Sequence, residues 1–315
     1  MNTSKERRKK LEIFENKRKS SLSYSKIFSS KVSGPLVVVV GALHGDEVDG
    51  FEAMIEINSL LEDGTLSLLC GTLVLVVGNP FAYLKGKRYL KHDMNRSFLK
   101  EQETQCLEVS RTKEISHFLQ TLSEKFTTEK KFFVDLHSTS KGAELLVYRS
   151  DNEVLRTFLE KISTLPLHFT YKEGHIEGVL IDEAHKQGFQ SFVVECGLSG
   201  KNSSVALAKA HLSQLLFLTG MITQKDLLLL YSPSKNNKEK SQQRRYETIS
   251  PICVRKGFRF ADENVQTETF YPKGTVYAFD NIVGELRAEE DLFIFMPSKN
   301  VRPDDKDAGF LCRRL

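Results

Sequence analysis

The chain has 315 residues, of which 40% are hydrophobic and 27% are charged, so it is not too polar to bury a sizeable core. Its net charge of +4 is unevenly placed: residues 1–20 carry +5 and residues 232–247 carry +3, which leaves the rest at −4. Basic tracts of this kind are usually solvated segments, so we expect no nucleic-acid partner.

Cysteine use and hydropathy indicate the compartment. The five cysteines are odd in number and form no C-x-x-C pair, which is typical of free thiols in a reducing environment. The longest apolar run, residues 36–43, is too short to cross a bilayer, and no apolar segment of signal-peptide length follows the basic start. We therefore expect a soluble, cytoplasmic protein with no membrane partner, and a homo-oligomer is left open.

Hydrophobic periodicity predicts the elements in chain order. Residues 1–34 predict a peripheral basic helix followed by a Ser-rich linker. The predicted strands cover residues 36–40, 72–77, 132–136, 144–148 and 192–194. The predicted helices cover residues 51–61, 103–126 and 203–230. Residues 79–98 have little periodicity and predict a long polar loop, and such loops inside a domain are usually functional or disordered.

Strands that alternate with helices predict an α/β fold, with a largely parallel sheet flanked by helices and with ligands bound at the strand ends. Residues 232–247 lack apolar side chains and predict a linker. Short apolar runs at residues 275–279 and 292–295, with glycines between them, predict a small all-β domain. The expected division is therefore an N-terminal segment 1–34, a main domain 35–231, a linker 232–247 and a β domain 248–315.

Polar side chains follow two of the buried strands. His44 and Glu47 lie on the loop after the first strand, and His137 follows the strand at residues 132–136. Two imidazoles and a carboxylate are good zinc ligands, and a hydrolytic site uses three protein ligands and leaves one position for water. A lone histidine is more often an ordinary surface residue, but three such groups at strand ends favour a metal site. Asp135 is expected on the opposite face of its strand from His137.

Further polar residues come near the same edge. Glu195 ends the strand at residues 192–194, where a carboxylate could move the proton of a metal-activated water or serve only as a structural acid. The loop at residues 85–96 carries Arg88, Asn95 and Arg96, whose donors suit a carboxylate or an oxyanion, although a solvated basic loop is the alternative.

Taken together, five motifs resemble the succinylglutamate desuccinylase/aspartoacylase family, which is related in fold to the zinc carboxypeptidases. They are Gly-Ala-Leu-His44-Gly-Asp-Glu47, Asn79-Pro80-Phe-Ala82, Arg88-Tyr89 with Asp93-Met-Asn95-Arg96-Ser-Phe98, Asp135-Leu-His137-Ser-Thr139 and Val194-Glu195-Cys-Gly197. Their order and spacing cover about residues 35–230.

The resemblance implies roles for the matched residues. His44, Glu47 and His137 would bind one zinc ion per chain, and Glu195 would be the general base and acid. Arg88 would polarise the scissile carbonyl, and Asn95 with Arg96 would hold the α-carboxylate of an N-acyl amino acid. A C-terminal β domain that partly covers the site also has a counterpart in the family.

The sequence departs from the family at one place. Aspartoacylases carry an arginine about ten residues before the catalytic glutamate, but no arginine occurs here between Arg156 and Glu195. This absence puts acetylaspartate in doubt as the substrate. The alternatives that we consider for the missing contact are His185, Lys186, His175 and Tyr277.

The sequence therefore predicts a zinc-dependent amidohydrolase that removes an acyl group from a small N-acyl amino acid or a related amide. A metallocarboxypeptidase that acts on peptides is the first alternative. A catalytically idle protein that binds a partner through its basic tails is the second.

Overall fold

The computed structural model describes residues 4–15, 21–98, 105–128, 130–139, 142–162, 167–172, 176–231, 243–298 and 307–315. In chain order its elements are α1 (Ser4–Phe14), β1 (Ser25–Ser29), β2 (Leu36–Gly41), α2 (Asp49–Glu62), β3 (Thr72–Val77), α3 (Pro80–Lys85), a 3₁₀ turn (Met94–Arg96), α4 (Leu107–Lys125), β4 (Lys131–Thr139), β5 (Glu144–Arg149), α5 (Glu153–Leu159), β6 (Leu167–Tyr171), α6 (Leu180–Lys186), β7 (Gln190–Leu198), α7 (Asn202–Leu218), α8 (Gln224–Leu230), β8 (Arg244–Cys253), β9 (Arg259–Phe260), β10 (Thr269–Tyr271), β11 (Val276–Asp280), β12 (Gly284–Arg287), β13 (Leu292–Phe295) and β14 (Asp307–Arg314).

The chain divides into two compact units. The first comprises Met1–Tyr148, Asn152–Leu165 and Glu177–Ser241, and the second comprises Arg149–Asp151, Pro166–Ile176 and Gln242–Leu315. The three predicted metal ligands, His44, Glu47 and His137, belong to the first unit.

The first unit is built on a sheet in the order β1-β3-β2-β4-β7-β5. The four central strands, in the order β3-β2-β4-β7, run parallel to one another, whereas β1 pairs antiparallel with β3 and β5 pairs antiparallel with β7. Every residue of β2 and β3 is buried, as expected of parallel strands that are covered on both faces. The predicted α/β fold with a largely parallel sheet is thus confirmed.

This arrangement brings the carboxyl ends of the central strands to one edge. In the register of β2 with β4, Gly41 is opposite Leu136, so the loop after Gly41 starts beside His137. In the register of β4 with β7, His137 is opposite Glu195. Residues that are far apart in the sequence therefore meet at this edge of the sheet.

The N-terminal residues differ from their prediction. Residues 1–34 were expected to be a peripheral helix followed by a linker, but β1 pairs along its whole length with β3, from Ser25 opposite Val76 to Ser29 opposite Thr72. The helix α1 is not peripheral either, because Leu11 and Phe14 are buried in the main core. A strand of mixed polarity on a sheet edge gives little periodic signal, which explains why the sequence did not indicate it.

The predicted bounds of one helix and of the linker also differ from the structure. The helical tract predicted for residues 203–230 is two helices, because Gly220 adopts a left-handed φ of 77° and Thr223 caps α8. The strand β8 begins at Arg244, inside the predicted linker, while residues 232–242 of that linker lie outside the described part of the chain.

The second unit is dominated by strands. In it β6 pairs parallel with β8, and β8, β14, β13 and β10 follow one another in antiparallel pairs. Strands β12, β11 and β9 form a separate small antiparallel sheet. Apolar residues such as Ile252, Ala278 and Ile294 form the core of this unit.

Two further features bear on the sequence predictions. All five cysteines are free thiols. Among the helices that the structure describes, we find none with the length and apolar character that a membrane crossing requires.

A close contact between α2 and β4 provides a test of the packing. A Cβ added at Gly50 would lie 2.4 Å from Cβ of Leu136, which is closer than two carbon atoms can approach. We expect Gly50→Ala to lower the free energy of unfolding by about 1–3 kcal/mol, because overpacking outweighs the better helix propensity of alanine. Chemical denaturation measures this change. Ser59→Ala, at an exposed position of the same helix, is the control, and equal stability of the two variants would contradict the predicted close packing.

Candidate metal centre

The loop after β2 carries two of the three predicted ligands on a rigid base. Ala42 leaves the strand with φ of 53°, a left-handed conformation that is uncommon for residues other than glycine. His44 and Glu47 follow and are 3% and 8% exposed, respectively. The amide of Glu47 donates to the carbonyl of His44 at 3.1 Å, which folds the loop so that both side chains face the same way.

His44, Glu47 and His137 form one compact group. One ligand atom from each of them lies within 4.8 Å of the other two, and all three residues are buried. Nδ1 of His44 lies 2.9 Å from Oε1 of Glu47, and Nδ1 of His137 lies 2.7 Å from Oε2. The carboxylate of Glu47 therefore stands between two imidazoles, with the same ring nitrogen of each facing it.

Each imidazole has an aspartate on its other nitrogen. Nε2 of His44 lies 3.0 Å from Oδ1 of Asp93, and Nε2 of His137 lies 2.9 Å from Oδ2 of Asp135. A carboxylate on the far nitrogen fixes the tautomer and orientation of a metal-binding histidine. This leaves Nδ1 of both rings as the atoms that could bind a metal ion.

The expected position of Asp135 was wrong. Residues two apart on a strand point to the same face, so Asp135 and His137 lie side by side on β4. Asp135 is fully buried. The correct alternation would have identified it from the sequence as the partner of His137. Asp93 is harder to identify, because it comes from a loop.

The charges of the group are mutually dependent. Burial raises the pKa of Glu47, but the nearby His44 and His137 outweigh it and hold that pKa well below the usual range. Burial lowers the pKa of His137, but Asp135 and Glu47 raise it well above its ordinary value. The pKa of His44 is also raised, since Glu47 and Asp93 outweigh the effect of burial.

Glu195 completes the group from the neighbouring strand. It is 6% exposed, and among the described residues its Oε2 has no hydrogen-bond partner. Burial raises its pKa to about 7, and Glu47 adds to the rise, while His137 opposes it. A buried carboxyl group with a pKa near neutrality can both take up and give back a proton.

The donor set fits a divalent ion. Two imidazole nitrogens and a carboxylate suit zinc and other first-row metals, and the aspartates behind the imidazoles are the supporting groups that such sites use. The unpaired Oε2 of Glu195, buried beside the ligand group, is a polar atom that a metal-bound ligand could satisfy. The residues present therefore fit a metal site with an acid or base beside it.

Arg88 lies at the rim of the group. Its Nη1 donates to Oε1 of Glu47 at 2.6 Å, and its Nη2 lies 3.7 Å from Oδ2 of Asp93. The side chain of Arg88 is 45% exposed, against 10% for Glu47, so part of the guanidinium faces away from the protein. The structure thus brings Arg88 to the predicted ligands.

The next two predicted residues follow on the 3₁₀ turn. Oδ1 of Asn95 accepts from the amide of Leu180 at 2.9 Å, which ties the turn to the start of α6. Arg96 is exposed, and its Nη1 donates to the carbonyl of Asn95 at 2.8 Å. The amide of Asn95 donates to Oδ1 of Asp93, so this turn adjoins the partner of His44.

Two of the residues suggested for the missing arginine, His185 and Lys186, lie on the chain just before β7. His185 and Lys186 end α6, which leads into Gln190 at the start of β7, whereas Glu195 is near the other end of that strand. Five residues of extended chain separate these ends by roughly 16 Å. His185 therefore comes before the start of β7 and Glu195 near its end, and the substrate contact of His185 stays a prediction.

The other two suggestions stay predictions. His175 lies outside the described residues. Tyr277 is buried in the core of the second unit.

Comparison with known proteins agrees with this arrangement. Residues 33–218 match the succinylglutamate desuccinylase/aspartoacylase catalytic domain. The chain therefore belongs to the succinylglutamate desuccinylase/aspartoacylase family.

Individual relatives are more distant. A probable aspartoacylase from Prochlorococcus marinus is 29% identical over 162 residues, which are 48% of this chain and 51% of that protein. An N-acyl-aromatic-L-amino acid amidohydrolase from Xenopus laevis is 32% identical over 127 residues, which are 38% of this chain and 40% of that protein. The chain spans about half the length of the first curated relatives it matches.

A solved structure supports the fold. The crystal structure of a succinylglutamate desuccinylase from Vibrio cholerae aligns with a TM-score of 0.68 at 16% sequence identity, covering 90% of this chain and 82% of that one. At this identity the likeness concerns the fold alone.

The aspartate behind His137 can be tested directly. Asp135→Asn keeps the shape of the side chain but removes the charge that orients the imidazole. We expect the affinity for zinc to fall about 10- to 100-fold, as is typical when such a supporting group is lost. Competition with a chelating dye measures the affinity. Asp63→Asn, on the exposed end of α2, is the control, and a wild-type affinity of Asp135→Asn would contradict the assigned contact.

Proposed function

We propose that this protein is a zinc-dependent amidohydrolase that removes the acyl group from a small N-acyl amino acid or a related amide. The observation that carries the proposal is the convergence of His44, Glu47 and His137, with Glu195 on the adjacent strand. Membership of a family that includes named desuccinylases and an amino-acid amidohydrolase supports the same reaction class.

In this proposal His44, Glu47 and His137 hold the ion. When bound, zinc acts as a Lewis acid and lowers the pKa of a water molecule to about 7. The choice of zinc is supported by the ligand chemistry, since two imidazoles and one carboxylate form the protein side of known hydrolytic zinc sites.

Glu195 moves the proton in the proposed reaction. Its carboxylate takes the proton from the attacking water and later gives it to the nitrogen of the leaving amine. The pKa of about 7 supports both roles, because a group with a pKa near the working pH can act as a base and then as an acid.

Arg88 would stabilise the negative charge that develops on the scissile carbonyl oxygen. Its guanidinium is held by Glu47 at one side, and its partial exposure leaves donors for a substrate. A preorganised cation of this kind is among the largest contributions to catalysis of acyl transfer.

The carboxylate of the substrate is assigned to Asn95 and Arg96. The contact of Asn95 with Leu180 fixes its oxygen and leaves its amide nitrogen as a donor. The exposed guanidinium of Arg96 can bind a carboxylate with two parallel hydrogen bonds. These assignments favour a substrate with a free carboxylate next to the amide.

A substrate panel tests the proposed reaction class. We expect the purified chain to release amine from one or more N-acetyl, N-succinyl or N-formyl amino acids, and to lose this activity with a chelator and regain it with zinc. His137→Ala should lose the metal, whereas the control His117→Ala, exposed on α4, should keep it. Cleavage confined to peptides would favour the carboxypeptidase alternative instead, and binding of no divalent ion would overturn the proposal.

The role of Glu195 has its own test. Glu195→Gln keeps the shape of the side chain but cannot carry the proton, so we expect kcat to fall about 10²- to 10⁴-fold while zinc content stays unchanged. Steady-state kinetics on the substrate found in the panel measures this loss. Glu144→Gln makes the same change at an exposed position on β5 and serves as the control. A fully active Glu195→Gln enzyme would rule out the assigned role.

A further inference from the structure

A basic residue of α1 contacts the loop that carries His44 and Glu47. Nη1 of Arg7 donates to the carbonyl of Gly45 at 3.0 Å and to the carbonyl of Tyr83 at 2.6 Å. Its guanidinium carbon lies 5.0 Å from the centroid of the Tyr83 ring, which is within the range of a cation–π contact. One side chain therefore links the ligand loop, the end of α3 and α1.

Gly45 is the point where these contacts meet. Its carbonyl accepts from Arg7, and its amide donates to the carbonyl of Arg88 at 3.0 Å. A Cβ added at Gly45 would lie 2.2 Å from the backbone of Ala82 and Tyr83, so the loop lies directly against α3. A displacement of Gly45 would thus move a ligand loop and the backbone of Arg88 together.

The helix that carries Arg7 is itself firmly docked. Leu11 and Phe14 are buried in the main core, and the ring of Phe14 packs edge-on against Phe51 at 5.2 Å. Lys10 forms an ion pair with Glu52 of α2 at 2.5 Å. The whole of α1 lies outside residues 33–218, so the family match does not account for it.

We propose that Arg7 is a positioning residue that sets the metal affinity of the site by holding the His44–Glu47 loop against α3. The inference rests on the proposed metal site. Metal ligands must be held within about 0.5 Å of their working geometry, and the groups behind them supply that order. Arg7 does so through the backbone, because its guanidinium donates to the carbonyl of Gly45, which lies between His44 and Glu47 in the loop.

Arginine suits this position better than lysine. Its planar guanidinium can donate to two carbonyls and stack on an aromatic ring at once, whereas an ammonium group offers only a point charge with donors. Arg7→Lys should therefore hold the His44–Glu47 loop in part, and Arg7→Ala should not hold it.

The experiment compares the full-length chain with Arg7→Ala, Arg7→Lys and two controls. Arg8→Ala removes the same charge from an exposed position on the same helix. Lys10→Ala breaks the ion pair with Glu52 but leaves Gly45 untouched, and it tests whether weaker docking of α1 alone is sufficient. The readouts are zinc affinity, by competition with a chelating dye, and hydrogen–deuterium exchange of residues 42–48 in the zinc-free chain.

We expect Arg7→Ala to weaken zinc binding about tenfold or more, the range found for supporting groups of metal sites, with faster exchange in residues 42–48. Arg7→Lys should fall between this variant and the wild type, and both controls should match the wild type. The inference would be overturned if Arg7→Ala kept the zinc affinity of the wild type and its exchange rate in residues 42–48. It would also be overturned if Lys10→Ala lost as much zinc affinity as Arg7→Ala. If the wild type bound no zinc, the proposed function would fail. Faster exchange of residues 42–48 in Arg7→Ala, with both controls unchanged, would still support the positioning role of Arg7.

Discussion

The buried carboxylate of Glu47 between two imidazoles is the interaction on which the site depends. A charged carboxylate is costly to bury unless it is paired, and this one is paired twice, with Nδ1 of His44 and Nδ1 of His137. Aspartates on the far sides of the rings extend the arrangement to alternating acids and imidazoles. Such an array is stable only if the backbone brings its members together, and the parallel sheet does this by ending β2, β4 and β7 at one edge.

The sequence predicted this part of the molecule well because its signals are local. Two buried strands followed at once by His44 and by His137 indicate where the ligands lie, since parallel strands end at a common edge. Glu195 followed from the same argument. Asp135 could also have been predicted, since the period of a strand places it beside His137.

Other features depend on tertiary contacts that no local pattern reveals. β1 is a partly polar edge strand whose partner β3 lies more than forty residues later, and α1 reads as a solvated basic helix although Leu11 and Phe14 enter the core. The position of His185 was inferred from its distance along the sequence to Glu195. His185 ends α6, which leads into the start of β7, whereas Glu195 lies near the other end of that strand, so the spacing along the sequence does not by itself bring the two side chains together.

The site and the residues that contact it lie partly inside and partly outside the residues that match the family. The proposed metal ligands, Glu195 and Arg88 lie within the matched residues 33–218. Arg7 lies outside these residues, on α1, so its contacts with Gly45 and Tyr83 are not part of the family match.

The central claim is that one divalent ion binds among His44, Glu47 and His137. The most direct measurement is anomalous diffraction at the zinc edge from crystals of the zinc-loaded protein. The account predicts one strong peak at about 2.0–2.2 Å from Nδ1 of both histidines and from a carboxylate oxygen of Glu47. No peak at this position, or a peak coordinated by Nε2 of the histidines with Asp93 and Asp135, would contradict it.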